Sequence, residues 1–305
     1  MPAKGIGISP YFKKAAAAAV TPSPLIAAWY AALSVKPSSA LLTSLNTLVN
    51  GMNTDGDWTE LDFFSLSAGM ETEEQALRPL KTTGSATMTN FDNGGGGLVW
   101  TVNGWAANGT DVIKTGLDLS LNSVKFTLNS AFMSFFGNTR TASAAARDAM
   151  GVIYNYDDLN EYYSIVNRER AASSLNINNL NVNTPLYKPD GVTLETPSTA
   201  TKSGITIGNA NVPYYMGNKR TGASSCISFV NGVNGAANTS TTSIIPVGEV
   251  CIMGYYNNHY LAQSYVGFTS DYGRASLIGS GNVSQANTGA RLNTFFVSRS
   301  LNPYV

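Results

Sequence analysis

The spacing of apolar residues changes along the chain. Leu41, Leu42, Leu45, Leu48, Val49 and Met52 recur three and four positions apart, which gathers them into one stripe of a helix. Lys36-Pro37-Ser38-Ser39 stands before this stripe, so Ser38 or Ser39 can supply the capping oxygen, and Asn53 to Gly56 ends the helix. Trp58 and Leu61 to Leu66 then read as a buried strand, and Glu71 to Leu80 as a short helix closed by Pro79. From about residue 85, short apolar or alternating runs are separated by Gly and Asn. They predict strands at 98–102, 123–128, 131–136, 151–156, 162–167, 214–217, 225–230, 250–255 and 274–278. Strands at this density, punctuated by turns, indicate an antiparallel sandwich or barrel. Asn231-Gly232 between Val230 and Val233 offers the two positive-φ residues of a type I′ hairpin. A last helix is expected from Ser284, with Gln285, Thr288, Leu292, Phe295, Phe296 and Arg299 on one face and Asn302-Pro303 as its stop. Gly289 weakens that helix by about 1 kcal/mol relative to Ala.

The ends and the middle read differently. Residues 1–24 look like an extended arm in which Tyr11 and Phe12 precede Lys13, Lys14 and an alanine run, until Pro22 and Pro24 break it. Such an arm is either a loose terminus or an anchor that orders when Tyr11 and Phe12 dock on a neighbouring subunit. Residues 181–211, rich in Asn, Thr, Pro and Gly, read as a long surface excursion. Asn93 to Gly97 is a glycine-rich loop, but it leads into Leu98-Val99-Trp100, a strand, and not into the helix a phosphate loop requires.

Composition narrows the partners. The chain has 305 residues, no formal net charge, 43% hydrophobic residues and 12% charged residues, about half the usual charged share. A field this weak draws the chain neither to nucleic acid nor to an anionic membrane. It suits lasting contact with protein surfaces, where a buried unpaired charge is costly. Leu25 to Val35 is too short to span a bilayer, and the run Ala15 to Val20 is too short for a signal peptide. A soluble protein assembled in a cytosol is expected, with Cys226 and Cys251 as buried thiols.

The order of elements resembles a family of phage tail and virion proteins. The similar features are Lys36-Pro37-Ser38 with the leucine helix, Trp58-Thr59-Glu60-Leu61-Asp62, and Asn103-Gly104 through Asn108-Gly109-Thr110 to Thr115-Gly116. Further on come Phe229-Val230-Asn231-Gly232, Ile252 to Asn257-Asn258, and Arg274 to Ile278-Gly279 before the final helix. The motifs are short, their shared order covers nearly everything after residue 25, and residues 140–211 match less well. The resemblance implies a mainly β fold: a concanavalin-A-like, laminin-G-like jelly-roll β-sandwich. It would carry an N-terminal anchoring arm (1–24), a helical lead-in packed on the sandwich (25–84), and the sandwich itself (85–305) with an insertion near 140–211 and a C-terminal helix. It implies a structural component of a bacteriophage virion, a head or tail fibre or a decoration protein, assembled in the bacterial host cytoplasm. The arm would touch other virion proteins, and a homo-oligomer is expected.

Chemistry is sparse. His259 is the single histidine, and no His/Cys cluster offers a metal site. No cofactor and no catalytic residue is expected. Asn53-Thr54-Asp55-Gly56-Asp57 with Glu60 has the flavour of a calcium loop, but its glycine falls at the fourth position and not the sixth, so it reads as a helix-ending turn. Concanavalin-A-like glucanases carry Glu-x-Asp-x-x-Glu on one strand; here Glu60-Leu61-Asp62-Phe63-Phe64 is followed by Ser65, which leaves one of the two catalytic carboxylates missing. A glycan depolymerase is therefore the weakest of three readings. Asp157, Asp158 and Glu161 read as a solvated turn. The alternative to a purely structural role is an adhesin for host surface glycans. Tyr255, Tyr256, Asn257, Asn258, His259 and Tyr260 have lectin chemistry, aromatic faces beside amides, at an expected strand end.

Overall fold

The computed structural model describes residues 19–84, 86–139, 147–155, 166–171, 174–177, 202–205, 213–238, 245, 248–259, 263–267 and 271–304. Tyr11 and Phe12, the acidic cluster Asp157, Asp158 and Glu161, and most of 181–211 lie outside these residues.

The apolar stripe forms a helix over Ser39–Thr54 with all six stripe residues buried. Ser38 caps it, its Oγ accepting the Leu41 N–H at 3.2 Å. Gly56, at φ 84°, turns the chain into a short helical segment, Asp57–Glu60, so Trp58 sits in a helical turn and not in the strand that follows. That strand, Leu61–Leu66, is buried at every position. The second helix is only Glu73–Ala76, capped by Thr72, shorter than the span from Glu71 to Leu80. Residues 123–128 form no strand beyond one isolated bridge between Thr127 and Ser130. Their backbone instead wraps the buried Asp62 carboxylate, which accepts N–H bonds from Val124 and Lys125 at 2.9 Å and from Phe126 at 2.6 Å.

Two sheets stack in a broadly sandwich-like arrangement with flanking helices. The first runs in the order Val233–Asn238, Ser225–Val230, Pro213–Gly222, Ala131–Thr139, Asp271–Gly279, Leu61–Leu66, Lys81–Thr82. The hairpin Val99–Thr101/Gly104–Ala106 joins it through Asp271–Gly279. The second runs Lys202–Ile205, Ser174–Ile177, Val166–Ala171, Arg147–Asn155, Glu249–Ile252, Val112–Asp118, Thr89–Phe91. Gly254–His259 adds to it beside Arg147–Asn155 and pairs antiparallel with Gln263–Gly267. The hairpin turn forms at Asn231 (φ 46°) and Gly232 (φ 77°), both left-handed as a type I′ turn demands. The single strand expected at 250–255 is broken in two, because Met253 takes a φ of 62° and ends one ladder before the next begins.

Alternation along Ala131–Thr139 sorts its side chains into two buried layers. On one face Phe136 stacks on Tyr215 with centroids 4.0 Å apart and meets Phe296 of the final helix, Gln285–Ser298, at 5.6 Å. On the other face Phe135 packs beside Tyr214 and near Gly273. A Cβ on Gly273 would meet the sulfur of Met253, from the second sheet, at 2.3 Å. The first sheet is thus covered by helices on one side and by the second sheet on the other, which explains strands buried along their length.

The final helix is fastened from several directions. Ser284 caps it by accepting the Asn287 N–H. Gly289, which costs helix propensity, lets the helix approach the sheet: a Cβ there would lie 2.3 Å from Tyr304 Oη and 3.1 Å from Tyr215. Arg274 donates to the Asn302 carbonyl at 2.6 Å and lies 5.4 Å over the Phe296 ring. Burial pushes its guanidinium down to about 10.

Candidate functional site

Acidic residues that read as candidate chemistry are spent on docking. Asp55 forms a two-pronged ion pair with Arg291 at 2.8 and 3.0 Å. Asp57 accepts the Ser284 N–H at 2.7 Å and the Thr288 hydroxyl at 3.1 Å. Glu60 is bonded to the Ser280 hydroxyl and to the Asn282 amide, and the Ser280 bond holds its carboxyl below the usual range. The turn that resembled a calcium loop therefore ties the chain before the first strand to the final helix. Of the pair that resembled half of a glucanase site, Glu60 holds the turn before that helix and Asp62 holds the 124–126 backbone. Among the described residues no group of three or more His, Cys, Asp or Glu is placed to hold a metal.

The segment with lectin chemistry lies along a strand and not just at the end of one. Tyr255, Tyr256, Asn257, Asn258 and His259 lie on Gly254–His259, and Tyr260 falls outside the described residues. Register sets Tyr256 opposite Tyr265, and their rings stack at 4.9 Å and 30°. Tyr265 in turn meets Phe91, from Thr89–Phe91, at 4.6 Å. The result is a row of three half-buried aromatic rings drawn from three strands. Lys114, on Val112–Asp118, places its ammonium 5.0 Å from the Phe91 centroid and 4.9 Å from that of Tyr265, within cation–π range. Glu249 stands 3.7 Å from that ammonium and accepts the Gly116 N–H at 2.6 Å. A hydrogen bond with the Tyr265 side chain, and then Glu249, hold Lys114 above the usual lysine range despite partial desolvation. Burial raises the Tyr256 phenol.

A fixed polar loop borders this row. Asp92 Oδ1 accepts the Gly94 and Gly96 N–H groups at 2.8 and 2.9 Å. The buried Asp111 accepts those of Asn93 at 2.7 Å and Gly95 at 3.1 Å, and the Asn108 amide at 2.5 Å. Burial pushes Asp111 up, but these bonds outweigh it and hold its carboxyl below the usual range. Gly95 allows the close approach, since a Cβ there would fall 2.1 Å from Thr110 Oγ1. Asn93 Nδ2 then reaches the Tyr265 carbonyl at 3.0 Å, which binds loop and aromatic row into one unit. Asp92, Asn93, Asn108 and Thr110 are exposed. Apolar ring faces beside fixed amide, hydroxyl and carboxylate groups can take a ligand with C–H surfaces on one side and hydroxyls on the other.

Of this site the sequence reading found Tyr256 alone. Phe91, Lys114, Glu249 and Tyr265 were missed, although Ile113, Thr115 and Leu117 alternate as a strand should. Trp100 and Trp105 belong elsewhere: Trp105 is buried, and Trp100 donates to the Ser67 carbonyl at 3.0 Å.

A concavity of about 750 Å³ opens elsewhere, between the helix Ala27–Ala32 and the segment from Glu73 to Met88, lined by Leu25, Ala28, Trp29, Trp58, Leu77 and Met88 among others. Trp29 and Trp58 are 4% and 5% exposed, so their rings wall this groove without presenting a free face. No described helix is long and apolar enough to cross a membrane.

No family model matches the chain and no curated protein matches it. Solved structures share its shape loosely. A mutant of Trypanosoma rangeli sialidase displaying trans-sialidase activity aligns at 8% identity and a TM-score of 0.47, covering 85% of this chain and 39% of that one. Domain 4 of AbnA, an extracellular arabinanase from Geobacillus stearothermophilus, in complex with arabinotriose, aligns at 12% identity and 0.42, covering 76% and 98%. The botulinum neurotoxin serotype D binding domain aligns at 10% and 0.44, covering 79% and 52%. This chain thus spans about 39% of the length of the sialidase. At scores below 0.5 none of these likenesses bears on what the chain binds or does.

Proposed function

We propose that this chain is a carbohydrate-binding β-sandwich protein, of the concanavalin-A-like jelly-roll kind, that holds glycan on the row Phe91, Tyr265 and Tyr256. The observation that carries this reading is the joining of that row to a pre-formed polar loop through Asn93 and the Tyr265 carbonyl. Rigid aromatics with fixed hydrogen-bonding neighbours lower the ordering cost of binding. The test is calorimetric titration of the full chain with an oligosaccharide panel, before and after Tyr256→Ala and Tyr265→Ala. Each change is expected to weaken binding at least fivefold, at about 1 kcal/mol per ring contact. Unchanged affinity in both variants would refute the site.

A structural role in a bacteriophage virion is the second reading, and it is compatible with glycan binding as host attachment. The observation that favours it is the 12% charged content. The second reading assumes a protein assembled in a bacterial cytoplasm and carried on the particle, and neither reading calls for a chemical step. Its copy number in purified particles tests the virion role, and the oligomeric state after Tyr11→Ala with Phe12→Ala tests the arm. A chain absent from particles, or an oligomer unmoved by the double change, would count against them respectively.

A further inference from the structure

Resting on the glycan-binding reading, we propose that the aromatic row selects uncharged glycans and turns away those bearing carboxylate or phosphate. Among the described residues, the charged groups that touch the row and its loop are Asp92, Asp111, Glu249 and Lys114. Three carboxylates thus face one ammonium. That ammonium is already committed: it lies over the Phe91 and Tyr265 rings and 3.7 Å from Glu249. An acidic sugar would have to displace Glu249, which the Gly116 N–H holds in place at 2.6 Å. Asp111 is locked as a carboxylate acceptor by two backbone N–H groups and the Asn108 amide, and the exposed Asp92 adds a second charge of the same sign. The two segments that carry the rings add no Lys or Arg of their own. Between Gly254 and Gly267 there is no Lys or Arg, and between Ala86 and Ile113 the charged residues are Asp92 and Asp111. The groups left to meet a ligand are amides, hydroxyls and ring faces, which recognise neutral sugar hydroxyls and C–H surfaces.

The experiment titrates the full chain with pairs of oligosaccharides of equal length, neutral oligoglucose against oligoglucuronate and a neutral glycan against its sialylated form. The neutral member is expected to bind at least about fivefold tighter at low salt, since the acidic member meets two surplus carboxylates through water. The preference should shrink at high salt, and Asp92→Asn should narrow it. Acidic members binding as tightly as neutral ones, or tighter, would overturn the selectivity while leaving the site standing. Failure of every oligosaccharide to bind would overturn the glycan reading itself, and the selectivity with it.

Discussion

In the sheet beneath the helices every residue from Ala131 to Asn138 is buried, whereas along Val112–Asp118 of the opposite sheet buried positions alternate with open ones from Ile113 onward. The two strands differ in residue type as well as in cover. Ala131–Thr139 carries three Phe and no charge, and Val112–Asp118 carries Lys114 and Asp118. Phe296 and Tyr304 close one face over Phe136, while Lys114 and its aromatic neighbours remain half open. The covered sheet is buried on both faces, and the open one leaves half-buried side chains on its outer face, where we propose that recognition takes place. Individual acids are tuned in opposite directions, though not by half, since Glu60 in the covered half is also held down. Asp57, in the covered half, is pushed up by burial, and Asp111, in the open half, is held down by its hydrogen bonds.

The sharpest way to break this comparison is to shorten one ring on each side. Phe136→Ala removes a side chain stacked between Tyr215 and Phe296, and should cost about 3–5 kcal/mol of unfolding free energy. Phe91→Ala, at a half-buried edge, should cost about 1 kcal/mol and act on glycan binding instead. Equal losses in chemical denaturation would show that the two sheets are not so divided. Next in size is Gly289→Ala. Helix propensity favours Ala by about 1 kcal/mol, but the new Cβ would meet Tyr304 Oη at 2.3 Å. A net loss of about 1–3 kcal/mol is expected, and a net gain would mean that the helix does not sit this close.

The smallest effects are those of pH. Asp57 has a higher value folded than unfolded. Its ionised form is penalised by folding, the penalty being full above the folded value and fading as pH falls through it. Asp111 has a lower value folded than unfolded. Its contribution is present above the unfolded value, about 3.9, and is lost as pH falls through the folded one. Asp57→Asn should therefore remove a gain in stability on mild acidification, and Asp111→Asn should remove part of the loss at stronger acid. Unfolding curves from pH 7 to pH 3 that keep the parent's slope in both variants would contradict these directions.

How much of this was legible depended on distance along the chain. The helix Ser39–Thr54, its Ser38 cap, the turn at Asn231-Gly232 and the Ser284 cap rest on contacts within a few residues, so period and turn chemistry reveal them; the strand Leu61–Leu66 pairs with the distant Asp271–Gly279 but shows as an apolar run because it is buried at every position. Two errors came from tertiary demands. The apolar look of 123–128 hides a loop whose N–H groups serve Asp62, and Met253 adopts a left-handed φ that no neighbouring residue announces. The aromatic row joins Phe91, Lys114, Tyr256 and Tyr265 from separate strands, and periodicity says nothing about which strands become neighbours. Gly289 shows the converse: a residue that looks like a defect in a helix is what admits Tyr304.

The most direct test of the open sheet as the recognition surface is a glycan titration followed through the ring resonances of Phe91, Tyr256 and Tyr265 in solution. Saturable shifts at these three rings, with Trp29 and Trp58 unmoved, are the result expected. Shifts confined to the Trp29–Trp58 groove, or none at the three rings when a bound oligosaccharide is present, would contradict it.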